Sequence, residues 1–69
     1  MIVLERGGFR VEASAFAESG GRCCVTAEVF EGSRMVRGYF RTFAAPPAAL
    51  ADVERSTAED VARMSCEAE

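Results

Sequence analysis

The sequence predicts an α+β fold: an antiparallel β-meander of three to four strands with one C-terminal helix packed on one face. Three observations predict it. Runs of alternating apolar and polar residues recur through Thr42, and glycine-containing turn signals separate them. Pro46-Pro47 then ends the strand pattern. Beyond it, apolar residues recur at helical rather than strand spacing. Residues 1–69 accordingly form one domain, with strands at about 2–6, 9–18, 22–31 and 34–43 and a helix at about 47–66.

The first strand, Ile2 to Arg6, ends at Gly7-Gly8, a dipeptide suited to a two-residue type I′ turn. That turn sets Glu5 opposite Arg10, Leu4 opposite Val11 and Ile2 opposite Ala13. Phe9 to Glu18 alternates cleanly, sending Phe9, Val11, Ala13, Ala15 and Ala17 to one face. A three-residue loop at Ser19-Gly20-Gly21 aligns Ala15 with Val25, Ala13 with Ala27 and Val11 with Val29. A two-residue loop would lay Glu12 and Ser14 on the Val25/Val29 face, so the pattern selects the longer loop.

Arg22 to Phe43 forms the central hairpin about Gly32-Ser33. An uninterrupted register pairs Val29 with Val36, Ala27 with Gly38, Val25 with Phe40 and Cys23 with Thr42 on the helix side. The outer side then pairs Phe30 with Met35, Glu28 with Arg37, Thr26 with Tyr39 and Cys24 with Arg41. A slip by one residue would put Arg37 and Arg41 on the apolar face. In the tail, Leu50, Val53, Thr57, Val61 and Met64 fall on one helical stripe, flanked by Ala49 and Ala58. The opposite face carries acids, among them Asp52, Glu59, Asp60, Glu67 and Glu69, and Glu59–Arg63 is a favourable i, i+4 pair.

Composition excludes several function classes. The 69 residues contain no His, the usual general base and the commonest metal ligand. All eight basic residues are Arg, as in a GC-rich, bacterial genome. Residues 1–45 carry six Arg and five Glu for +1, and residues 46–69 carry six acids and two Arg for −4, giving the net −3. No signal peptide or membrane span is recognisable, and three cysteines without recurrent spacing do not make a disulfide framework. A reducing cytoplasm is the expected location. Phosphate loops, nucleophile–base sets and metal spacings are absent, so neither an enzyme nor a cofactor or metal site is expected. Adjacent Cys23 and Cys24 point to opposite faces of a strand and cannot share a metal. The expected reading is three free thiols, one buried and two partly exposed; the alternative is a Cys24 activated by Arg41 opposite it.

The candidate binding residues are Phe16, Phe30, Met35, Arg37, Tyr39, Arg41 and Phe43. The expected register gathers them on the outer sheet face, which one helix cannot cover. A second copy of the chain is the expected cover, giving a homodimer through that face or through the edge of the fourth strand. The alternative is a single-stranded nucleic acid on the arginine and aromatic residues of that strand. Against it stand Glu12 and Glu28 in the middle of the platform and the acidic net charge.

Gly8-Phe9-Arg10-Val11, the strand Val25–Val29 and an Ala/Arg helix after a strand-end aromatic resemble a loose class of small bacterial proteins of unknown function. Those proteins pair a three- or four-stranded meander with a C-terminal helix. The resemblance implies the same fold and assigns no functional residues. The functional expectation is a small non-catalytic interaction or regulatory module.

Overall fold

A computed structural model describes residues 1–67. Glu69, placed on the acidic helix face by sequence, lies outside the described residues. Four antiparallel strands, β1 (Ile2–Arg6), β2 (Phe9–Glu18), β3 (Arg22–Glu31) and β4 (Arg34–Ala44), form one open sheet in the order β1-β2-β3-β4. A 3₁₀ turn, Pro47–Ala49, leads into the helix α1 (Leu50–Glu67), which is continuous across Arg55 and Ser56.

The first two hairpins form as the residues dictate. Gly7 and Gly8 both take positive φ, 59° and 84°, as a type I′ turn requires. Leu4 faces Val11 and Ile2 faces Ala13. Across β2 and β3, Ala15 faces Val25, Ala13 faces Ala27 and Val11 faces Val29. The shared inner face then holds a core of Phe9, Val11, Ala13, Ala27 and Val29 under Ala58, Val61 and Ala62 of α1, with Ile2, Leu4 and Tyr39 packed at its margin.

The third hairpin departs from the expected register. It begins as predicted, with Glu31 opposite Arg34 and Phe30 opposite Met35, and then Val36 bulges out of the ladder. Past the bulge Val29 faces Arg37, Ala27 faces Tyr39, Val25 faces Arg41 and Cys23 faces Phe43. The odd-numbered residues of β4 therefore lie on the helix side and Gly38, Phe40 and Thr42 on the outer side. The physical reason is the seat of the helix. α1 lies over β2, flanked by β1 and β3, and does not reach across β4. A register is fixed by hydrophobic pattern only where one face is buried. On β4 the helix side is open, so Arg37 and Arg41 sit there exposed to water at little desolvation cost. Tyr39 gains half-burial against the core in exchange.

The helix is also turned from the expected stripe. Its buried residues are Ala58, Val61, Ala62 and Ser65, while Met64 is exposed. At 100° per residue this face lies about 100° from the mean direction of Leu50, Val53, Thr57 and Met64, and Val61, on the border, belongs to both. Small side chains decide the seat: Ala13 and Ala27 form a shallow floor, and Ala58, Ala62 and Ser65 let the helix backbone approach it. Dispersion at close backbone approach outweighs the larger apolar area of the other stripe. A polar contact fixes the same rotation. β1 stops pairing at Ala13, leaving the next stretch of β2 without a neighbour on that side. Glu54 of α1 accepts a hydrogen bond from the Ala15 N–H at 2.9 Å and lies 3.5 Å from the Met1 ammonium. Arg63 pairs with Asp60 at 3.2 Å rather than with Glu59.

Candidate functional site

The bulge at Val36 divides the seven candidate residues between two surfaces. Phe16, Phe30 and Met35 stay on the outer sheet face, and Arg37, Tyr39, Arg41 and Phe43 lie on the helix side. Phe40, which the uninterrupted register would have buried, takes the outer position opposite Thr26. Only the presence of the bulge separates the two arrangements.

The outer face is uncovered and carries large apolar side chains. Phe40 is 68% exposed, Met35 53% and Phe16 48%. Between them run Glu12, opposite Glu28, and Arg10. Arg10 donates to Glu12 at 2.9 Å and stacks over the Phe30 ring at 4.6 Å, which orders the guanidinium and offsets the facing carboxylates. Arg37, expected to offset Glu28, is on the other side of the sheet and donates instead to the Tyr39 hydroxyl at 3.4 Å. Cys24 also lies on the outer side, buried, opposite Phe16 and Thr42 rather than Arg41. Burial pushes its thiol above the ordinary cysteine range, and the nearby charge of Glu18 and the Cys23 thiol add to that. The alternative of an activated Cys24 loses its basis: with Thr42 rather than Arg41 opposite, no arginine offsets the loss of water around a thiolate.

The second surface is an open groove of about 260 Å³ between α1 and β4. Tyr39 and Arg41 line one wall, Asp60, Val61 and Met64 the other, with Val25 at the floor. The split parts Phe16 and Phe30 from Arg37, Tyr39 and Arg41 of β4, the residues expected to meet a single-stranded nucleic acid, and leaves those three together on the helix side. The Phe16 and Phe30 rings share the outer side of the sheet with Arg10. On the helix wall Asp60 is already paired with Arg63. β4 itself is an edge strand of 11 residues whose only neighbour is β3.

Among the described residues no cluster of three His, Cys, Asp or Glu side chains is placed to hold a metal ion. No helix among them is long and apolar enough to cross a membrane. The sequence reading missed Phe40 and Glu54. The alternation on β4 placed Phe40 inside, and nothing in a lone glutamate on a helix signals a free strand N–H thirty-nine residues earlier. No family model matches the chain, and no curated protein or solved structure shows significant similarity to it.

Proposed function

We propose that the chain is a small non-catalytic interaction module that works by associating with copies of itself. The observation that supports this most is β4, an 11-residue edge strand that carries Phe40, 68% exposed, on a sheet face that α1 leaves bare. An isolated 69-residue domain buries only about 60% of its unfolded surface, so a partner subunit adds stability that the small Ala/Val core does not supply. The arrangement offers shape and apolar contact and no set of groups poised for proton transfer or nucleophilic attack. Sedimentation velocity over a range of concentrations tests it. The wild type sediments as an assembly heavier than the 7.4 kDa chain, and Phe40→Glu shifts it toward monomer. A wild type that stays monomeric at every concentration overturns the proposal.

A further inference from the structure

We infer that two copies of the chain join edge to edge, β4 against β4, antiparallel, in the register that puts Phe40 on the two-fold axis. This rests on the self-association proposed above and names its surface and geometry.

Among the described residues the sheet has two edges, and β4 is the longer. β1 is five residues long and its N-terminus lies against Glu54, whereas β4 runs for 11 residues with no strand beyond it. Its outward N–H and C=O groups form a template for another strand. α1 does not reach across β4, so the helix leaves the approach open. Packing outer face on outer face is the less favourable mode, because Glu12 and Glu28 stand in the middle of that face and would lose water with only Arg10 between them. Pairing β4 with β1 of the next copy would be heterologous and would grow filaments, whereas β4 against β4 closes as an isologous dimer.

Charge and ladder length select the register, since centring on Thr42 shares only residues 40–44 of β4. In a two-fold antiparallel pair each residue meets one on the same side of the sheet, so the ladder must be centred on a residue. Centring on Tyr39 sets Arg37 against the partner copy's position 41, arginine on arginine. Centring on Arg37 or Arg41 opposes that arginine to itself. Centring on Gly38 places the Val36 bulge inside the ladder, two positions from the axis, and interrupts it. Centring on Phe40 avoids both faults. Phe40 meets its own copy on the outer side and Gly38 meets Thr42. On the helix side Tyr39 meets Arg41 and Arg37 meets Phe43, each twice. All four of those pairs set a guanidinium beside an aromatic ring, and no like charges face each other. The bulge then falls at the end of the shared ladder. The arginines that would repel a strand in other registers interdigitate with rings in this one.

Gly38 and Thr42 make the test, because both are exposed on the outer side. A Cβ on Gly38 meets nothing within 4 Å, so side chains are tolerated there. Gly38→Lys with Thr42→Lys sets lysine on lysine at two symmetric pairs. Gly38→Lys with Thr42→Glu sets lysine on glutamate at the same two pairs. The dimer dissociation constant, measured by sedimentation equilibrium at low salt, is expected to be at least about tenfold weaker for the first than for the second. The second variant is expected to match or exceed the wild type. Overall charge works the opposite way, since the lysine pair brings the chain nearer neutrality. Equal dissociation constants for the two variants, beside a wild type that dimerises, overturn the β4 register and leave self-association standing. A monomeric wild type overturns both.

Discussion

Replacing Ala58 by leucine probes the seat of the helix where it is tightest. Ala58 is fully buried above the floor made by Ala13 and Ala27, with Val61 and Ala62 beside it. Leucine adds three carbons and is nearly as good a helix former as alanine, so intrinsic propensity changes little. If the added carbons found room they would contribute about 0.8 kcal/mol each. The helix would have to rise to make that room, giving up contact along the whole Ala58/Ala62/Ser65 stripe. Overpacking of this kind costs about 1–3 kcal/mol. At about 4–8 °C per kcal/mol for a domain of this size, a 2 kcal/mol loss lowers Tm by roughly 8–16 °C. Met64→Ala is the control, because Met64 belongs to the stripe that hydrophobicity favours but is 40% exposed. It is expected to cost under about 0.5 kcal/mol. Urea titration followed by circular dichroism measures both. A larger loss from Met64→Ala than from Ala58→Leu would refute the rotated helix.

Three further outcomes follow from single contacts. Glu54→Ala strands the Ala15 N–H and is expected to lose about 1–2 kcal/mol in urea titration, while Glu54→Gln, which keeps an acceptor oxygen, loses less. Ser65 is buried with its hydroxyl unpartnered among the described residues, so Ser65→Ala is expected to raise stability by up to about 1 kcal/mol; a loss of that size would mean the hydroxyl is satisfied. Cys24 holds its proton more tightly in the native state than in the unfolded chain. Its alkylation midpoint is expected above that of free cysteine, and stability should fall as pH rises from the ordinary thiol range toward the raised value. Mass-resolved alkylation checks it, with half-buried Cys66 labelling ahead of Cys24.

The parts of the fold legible in the sequence are those where local chemistry and burial agree. Gly7-Gly8 and the Ser19–Gly21 loop fix two hairpins, and both leave Val11, Ala13, Val25 and Val29 on one buried face, so a slip would have stranded Glu12 and Ser14. β4 was legible as a strand but not in its register. Its alternation suggested a buried even-numbered face, and that inference assumes the helix covers all four strands. The helix covers three. Its orientation was hidden for a related reason: hydrophobicity weighs Leu50, Val53 and Met64 heavily, whereas the floor of Ala13 and Ala27 rewards small residues that approach closely. For the candidate site, Phe16, Phe30 and Met35 were placed correctly on the outer face, because they precede the bulge or pair before it. Arg37, Tyr39, Arg41 and Phe43 all follow it and change sides together.

The bulge at Val36 decides which residues of β4 face the groove and which face outward, and interstrand Hα–Hα contacts across β3 and β4 report it directly. In an antiparallel ladder, non-hydrogen-bonded partners bring their Cα atoms to about 4.5 Å, near enough for strong nuclear Overhauser effects. Effects linking Thr26 with Phe40, or Val25 with Arg41, are the predicted result. Effects linking Val25 with Phe40 and Cys23 with Thr42 would contradict it, returning Arg37 and Tyr39 to the outer face and burying Phe40.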